Sequence, residues 1–188
     1  MAILTRAMRL ALAAALLLIG SLDGRAAQRT STAEDDVKAT FLYNFARFVD
    51  WPAEIEHRAS GDFRICTVTD AAFDRALDRI VTGERVRSRA IQRYTPRSPE
   101  DARSCQILFI GRTRMKDSDR YIAAVRSAPV LVVGETPGFV TQGGHIGFVI
   151  EDNRVKFDAN PKAAAEAGLS VSSKLLRVAR NVTKERTR

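Results

Sequence analysis

Two short apolar runs constrain the fold of this chain more than any other feature. Residues 106–111 contain Ile-Leu-Phe-Ile, and residues 129–134 contain Val-Leu-Val-Val. Strands that are buried on both faces have this pattern, which is typical of parallel sheets. Residues 117–127 between the two runs have the composition and periodicity of a helix, so the region predicts a β-α-β unit.

A second set of elements precedes this unit. Residues 63–69 are rich in β-formers and predict a strand, and residues 71–82 predict a helix that Gly83 ends. Residues 86–94 alternate only partly, which favours an edge or amphipathic strand. From Phe63 to Glu135 the predicted order is therefore β-α-β-β-α-β.

The C-terminal third breaks this alternation. Residues 146–150 and 154–158 flank Glu151-Asp152-Asn153, which predicts a hairpin. Asn160-Pro161 supplies an N-cap and a first-turn proline for a helix that stops at Gly168. Ser172 or Ser173 can cap the last helix. The predicted class is α/β: one compact domain, a mixed sheet with a β-α-β core and a C-terminal hairpin, flanked by helices.

An aromatic-rich helix is predicted before the first strand. Asp35 or Asp36 can cap it, and Trp51-Pro52 closes it. Its apolar side chains recur at helical spacing: Val37, Phe41, Leu42, Phe45, Phe48 and Val49. Either this stripe packs on the sheet, or it offers part of its length to a partner.

The N-terminus has the pattern of an export signal. Arg6 and Arg9 precede an apolar run over residues 10–19, and Gly24 and Ala26 fit a cleavage site. We expect a signal peptide over residues 1–26, cut after about Ala26, and a mature domain over residues 27–188 in the periplasm. A retained N-terminal anchor is the alternative reading. No later apolar segment reaches the roughly 20 residues of a membrane span.

Export changes the meaning of the two cysteines, Cys66 and Cys105. Disulfides persist in oxidising compartments, and two cysteines allow one intramolecular bridge. Cys66 lies in a predicted strand and Cys105 just before another, so adjacent strands can bring them within range. Two buried free thiols and a redox-active pair remain the alternatives, although no C-x-x-C is present.

Charge and motifs exclude several function classes. The formal net charge is +8, but acidic and basic residues are interspersed, and no nucleic-acid recognition motif appears. His57 and His145 with the two cysteines lack the spacing of a zinc site. No nucleophile, phosphate-loop or metalloprotease motif occurs, so we expect neither catalysis nor a cofactor. The glycines around His145 predict a turn into a strand, or less often a close approach to a ligand.

The segment from Ser170 to Lys174 is the best ligand-site candidate in the sequence. Ser172 and Ser173 stand at a predicted helix start, with Lys174 in the first turn, and such a group can hold an anion. Plain N-capping explains the same residues and is the simpler reading.

Several stretches together resemble the YfiR-like family of periplasmic regulators. They are residues 37–52, the cysteine-bearing segments 63–66 and 105–110, and the C-terminal segments 146–157 and 168–178. The resemblance implies a non-catalytic repressor that binds the sensor portion of an inner-membrane signalling protein, a diguanylate cyclase or a kinase. In family members of the best-known type, an outer-membrane OmpA-like lipoprotein relieves the repression, and cyclic-di-GMP and biofilm formation rise.

The resemblance also sets expectations for individual features. It implies a possible homodimer and a small ligand, and it places both cysteines in cysteine-bearing segments. The second disulfide of the best-known type has no counterpart here, because residues 139–148 contain no cysteine. The candidate binding residues are Glu151, Arg154, Ser170, Ser172, Ser173, Lys174 and Arg177. The alternative function is a small-molecule-binding module whose crevice lies at the carboxyl ends of the strands.

Overall fold

A computed structural model describes residues 32–56 and 61–183 of the chain. The predicted signal peptide and His57 lie outside the described residues. Contacts divide the chain into residues 1–34 and 35–188, and the second unit contains every strand of the described ranges. Within these ranges, no helix combines the length and the apolar character needed to cross a membrane.

The described residues form six α-helices and ten strands, beginning with a helix over residues 32–48 (α1). In chain order the rest are β1 Val49–Asp50, α2 Ala53–Glu56, β2 Phe63–Val68, α3 Ala71–Val81, β3 Arg85–Val86, β4 Arg89–Tyr94, β5 Ile107–Ile110, α4 Ser118–Val125, β6 Leu131–Gly134, β7 Ile146–Glu151, β8 Arg154–Ala159, α5 Pro161–Glu166, β9 Ser170–Val171, α6 Ser173–Val178 and β10 Asn181–Val182. Three short 3₁₀ turns, Asp101–Ser104, Arg112–Asp117 and Phe139–Thr141, lie in the connections.

Eight strands form one mixed sheet in the order β10-β8-β7-β6-β5-β2-β4-β3. The five central strands, β7, β6, β5, β2 and β4, run parallel, and β8 and β3 pair antiparallel on the two sides. Every residue of β5 and β6 is buried, which confirms the prediction made from the two apolar runs. The mixed α/β class is confirmed as well.

Alternate residues of the strands divide the core between the two faces of the sheet. Face A, which carries Ile107, Phe109 and Leu131, packs with α1 and α3 in one cluster. Face B, which carries Cys66, Leu108 and Val132, packs with α4 and with the 3₁₀ turns Asp101–Ser104 and Phe139–Thr141. This period of two is the geometry of a pleated strand covered on both sides.

Helix α1 confirms most of the predicted stripe and corrects its start. Leu42, Phe45 and Val49 are fully buried, and the Phe45 ring lies 5.9 Å from that of Phe148. Val37 and Phe48 are 44% and 37% exposed, so part of the stripe faces solvent. The helix already exists at residue 32, and the capping role predicted for Asp35 or Asp36 is therefore wrong. Asp36 instead pairs with Arg79 of α3 at 2.6 Å.

The strand predicted over residues 86–94 is a hairpin instead. Arg87 and Ser88 adopt φ of 48° and 69°, which turns the chain between β3 and β4. Non-glycine residues seldom adopt such φ values, so these two residue types carry no turn signal. β4 is not the edge either, because it lies between β2 and β3.

The C-terminal predictions are confirmed in outline. β7 and β8 form the antiparallel hairpin, and Asn160 accepts the Ala163 N–H at 3.0 Å as the N-cap of α5. Gly168 has φ +78° where the chain leaves that helix. Two short pairings were not predicted: β1 with β9, and β10 beside β8 at the sheet edge.

Candidate interaction surface

The β7–β8 hairpin carries the first predicted pair of binding residues. Asp152 and Asn153 have φ of 51° and 56°, and these two residue types tolerate the left-handed turn better than most. The tight turn places Glu151 opposite Arg154 in the strand register. Arg154 is exposed and Glu151 is half-buried, so the tip of the hairpin presents a charged pair to solvent.

Arg180 joins this hairpin to the C-terminal segment. Its Nε and Nη2 donate to the two carboxylate oxygens of Asp158 at 2.9 and 2.6 Å, and Nη1 reaches Glu151 at 3.3 Å. Its backbone N–H also donates to the Phe157 carbonyl at 2.8 Å. Lys156 pairs with Glu151 from the other side. A forked guanidinium that meets a carboxylate with two bonds fixes both position and direction.

The pKa values of this network follow from the same contacts. Hydrogen bonds from Lys156 and then Arg180 lower the pKa of Glu151. The hydrogen bonds from Arg180 lower the pKa of Asp158, and in return the pKa of Arg180 is raised. All three groups therefore stay ionised at neutral pH, so the network is present there.

The segment from Ser170 to Arg177 has a structural role that accounts for its serines. Ser170 lies in β9 and pairs with Asp50 of β1. Ser172 accepts the Leu175 N–H through its hydroxyl at 3.3 Å, which is plain N-capping. The helix that follows, with Ser173 as its first residue, has only six residues. The cap is the simpler of the two interpretations offered by the sequence, and anion binding at this stretch stays a prediction.

Lys174 and Arg177 remain as charged groups on the surface. Both are exposed, and neither forms an ion pair with any residue in the described ranges. Arg154 on the hairpin is also exposed and also forms no ion pair with the described residues. These three cations are unpaired within residues 32–56 and 61–183, so each is available to an acidic partner surface.

Exposed apolar side chains lie at the same hairpin, but in β7 Ile150 follows Phe148 on face A, whereas Glu151 and Arg154 point to the opposite face. Ile150, next to Glu151 in β7, is 39% exposed, and Val178, two residues before Arg180, is 68% exposed. We call the set Ile150, Glu151, Arg154, Val178 and Arg180 the hairpin surface. The sequence patterns selected Glu151 and Arg154 but not Arg180. Arg180 is one of several basic residues near the C-terminus, and its partners are distant in sequence.

A buried ion pair occupies the carboxyl end of β6. Glu135 directly follows β6 and forms an ion pair with Lys38 of α1, whose side chains are 8% and 4% exposed. Its second carboxylate oxygen accepts the Arg112 N–H at 2.7 Å. This is where the sequence placed the crevice of a small-molecule module. In the folded protein, side chains occupy that position.

A cleft of about 330 Å³ lies instead at the amino ends of β6 and β7. It is bordered by α4, the turn before β7 and α5. His145, the residue before β7, is 7% exposed and lines the cleft. Burial lowers the pKa of His145 from about 6.5 to about 4. The imidazole is therefore neutral at neutral pH.

The remaining predicted residues fit a structural role. Cys66 and Cys105 form a disulfide on face B, with their Cα atoms 5.9 Å apart. Among residues 32–56 and 61–183, no three His, Cys, Asp or Glu side chains gather in a way that would hold a metal ion. His57, part of the formal zinc set, lies outside these ranges.

Comparisons with solved structures give only distant likeness. A conserved domain protein from Vibrio cholerae O1 biovar El Tor aligns with 13% identity and a TM-score of 0.47, over 69% of this chain and 58% of that one. The ABC domain from Streptococcus pneumoniae, solved in complex with L-Trp, aligns with 12% identity and a TM-score of 0.48, over 64% and 55%. The chain thus spans a little over half the length of these structures.

Comparison of the sequence with protein families is more informative about its relatives than the solved structures are. No curated protein matches the chain. The sequence pattern of the YfiR/HmsC-like family matches residues 35–180, which is well over half of the chain and nearly all of the folded unit. The chain therefore belongs to the YfiR/HmsC-like family, a family of periplasmic regulators.

Proposed function

We propose that the mature protein is a periplasmic, non-catalytic regulator that binds the sensor portion of an inner-membrane signalling protein and represses it. The family match over residues 35–180 carries this proposal, because it spans the folded unit rather than one shared motif. The output we propose is a diguanylate cyclase, so that binding lowers cyclic-di-GMP and biofilm formation. An outer-membrane OmpA-like lipoprotein would compete for the regulator and relieve the repression.

The hairpin surface is the proposed contact with the sensor portion. Two exposed apolar side chains, Ile150 and Val178, are accompanied by charged groups that the Arg180 network holds in place. Specific protein interfaces combine apolar and polar side chains, and a partner at this hairpin tip would meet Ile150 on one face and the charged groups on the other. The fixed carboxylates and the exposed cation of Arg154 provide the charge pattern that selects one partner over others.

Repression follows if the regulator binds the inactive state of the sensor more tightly than the active one. A bound partner shifts such an equilibrium only by the ratio of its two affinities. A hundredfold preference, about 2.7 kcal/mol, would take a balanced sensor to about 1% active. No catalytic group is needed for this, and stoichiometric binding is enough.

Co-purification tests the proposal. The mature protein, oxidised, is mixed with the purified sensor portion of a candidate membrane diguanylate cyclase from the same organism, and the complex is measured by size exclusion and calorimetry. The variant Ile150→Glu is expected to weaken binding by at least about tenfold, because it places a charge in an apolar contact. Met115→Glu is the matched control, since Met115 is 38% exposed and lies outside the hairpin surface.

Cells provide the second readout. Deletion of the gene is expected to raise cyclic-di-GMP, and Ile150→Glu is expected to raise it as much as deletion while Met115→Glu does not. The proposal fails if no complex forms under oxidising conditions. If both variants weaken binding equally, the partner is real but the hairpin surface is not its contact.

A further inference from the structure

The cleft at the amino ends of the strands has the construction of a ligand site. Its apolar walls come from Ile122 and Val125 of α4 and from Val132 of β6, all of them buried. Its volume of about 330 Å³ is at the lower end of the range for small-molecule pockets. An apolar wall of this kind accommodates a short hydrocarbon group, because transfer out of water favours its burial.

His145 supplies one fixed polar group. Its backbone N–H donates to the Val132 carbonyl at 3.0 Å, and the Val132 N–H donates back to the ring Nδ1 at 3.1 Å. Since Nδ1 accepts a hydrogen bond, the proton of the neutral ring is on Nε2. The structure gives this Nε2–H no acceptor among the described residues, so a donor on a 7% exposed ring remains for a ligand.

Two opposite charges border the same cleft. Arg126 caps the carboxyl end of α4, and Glu166 is the last residue of α5. Both are exposed, and neither forms an ion pair within the described part of the chain. A guanidinium and an imidazole N–H are two donors suited to one carboxylate, and an exposed carboxylate is suited to an ammonium group.

We propose that this cleft binds a small amphipathic amino acid, with its carboxylate on Arg126 and His145, its ammonium on Glu166 and its aliphatic part against the apolar wall. The site is separate from the hairpin surface and goes beyond the proposed regulatory binding. It lies at the amino ends of the strands, whereas the filled position at Glu135 lies at the carboxyl ends. Ligand binding is measured on the mature protein alone, so its failure and the failure of partner binding are distinguishable.

Three probes of one shape separate the two charges. Leucine carries both groups, isocaproate is leucine without its ammonium, and isoamylamine is leucine without its carboxylate. Calorimetry on the oxidised mature protein is expected to give millimolar or tighter binding of leucine, binding of isocaproate that is about fivefold weaker, and no binding of isoamylamine. Binding of the amine alone, or no binding of leucine and isocaproate at millimolar concentration, would overturn the proposal.

Four variants assign the roles. Arg126→Gln is expected to weaken both carboxylates by about tenfold. His145→Asn keeps an acceptor for the Val132 N–H but removes the Nε2–H, and it should weaken both by about fivefold. Glu166→Gln should weaken leucine and leave isocaproate unchanged. Arg75→Gln is the matched control, because Arg75 is an exposed arginine of α3 that does not border the cleft. Equal effects of Arg126→Gln and Arg75→Gln would show that only net charge matters, which contradicts a site.

Discussion

A buried ion pair between Lys38 and Glu135 lies at the carboxyl end of β6, whereas at the amino ends of β6 and β7 the residues around His145 border a cleft of about 330 Å³. Ligands of open α/β sheets usually bind at the carboxyl ends. Here α1 crosses that position and supplies a charged side chain to it. The difference shows that the element packed over a sheet edge, rather than strand direction alone, decides which end stays open.

Each end contains a glutamate, Glu135 at the carboxyl end and Glu166 at the amino end. Their replacement is expected to give the largest difference in stability between the two ends. Glu135→Gln removes the carboxylate that pairs with the Lys38 ammonium, whose side chain is 4% exposed. We expect the free energy of unfolding to fall by about 4 kcal/mol, because removing one partner of a buried ion pair is costly. Urea denaturation at neutral pH measures it. Lys38→Met combined with Glu135→Leu should recover much of the loss, and a loss below about 1 kcal/mol for the single variant would mean that water reaches this end.

The Cys66–Cys105 disulfide links β2 covalently to the segment just before β5. Replacing Cys66 and Cys105 together by alanine opens a loop between residues 39 positions apart. We expect a loss of about 4 kcal/mol, because the unfolded chain regains its conformational freedom. Thermal melts of the oxidised wild type and the double variant provide the measurement. A variant with unchanged stability but altered signalling would restore the redox-switch alternative.

Protonation of His145 at the amino end is expected to lower the stability of the protein in mild acid. The pKa of His145 is about 4 in the folded protein and about 6.5 when unfolded. As pH falls from about 6.5 towards 4, the unfolded chain binds a proton at His145 that the folded protein does not bind. The free energy of unfolding therefore decreases. The expected loss between pH 7 and pH 5 is about 2 kcal/mol. Below the folded pKa the contribution levels off.

The variant His145→Asn isolates this contribution. Asparagine retains an acceptor for the Val132 N–H but does not titrate, so its stability should fall less than that of the wild type over the same pH range. Denaturant midpoints of both proteins at about pH 7, 6 and 5 give the comparison. If the midpoints of the two proteins changed equally with pH, a buried neutral imidazole at position 145 would be contradicted.

The smallest expected effect is at the second glutamate. Glu166 is exposed and forms no ion pair with the described residues, so Glu166→Gln should change stability by no more than about 0.5 kcal/mol. The same denaturation series as for Glu135→Gln measures it. A loss comparable to that of Glu135→Gln would mean that the two ends are equally closed, and the contrast between them would fail.

Much of the fold was predictable because its signals are local. The runs in β5 and β6, the cap at Asn160 and the turn at Asp152-Asn153 depend on residues within a few positions of each other. The β3–β4 hairpin was missed because Arg87 and Ser88 are unusual in its turn. The start of α1 was misplaced because Asp35 and Asp36, which resemble caps, lie inside the helix.

The candidate sites were less predictable than the fold. Glu151 and Arg154 were found from the hairpin and the family resemblance, but Arg180 gains its role only from Asp158 and Glu151, 22 and 29 positions away. For the serines before α6 the sequence offered a cap or an anion site, with the cap as the simpler interpretation, and Ser172 does cap the helix. His145 looked like part of a glycine turn, and nothing local reveals that its ring bonds to Val132 across the sheet.

The sequence by itself determined the class of the fold, the buried parallel strands, the hairpin, the two cysteines suited to one bridge and the membership of a family. These depend on periodicity, turn chemistry and composition, which act between near neighbours. Tertiary structure decided which end of the sheet is closed and which is open. Lys38 and Glu135 lie 97 positions apart, and only strand order and helix packing bring such residues together.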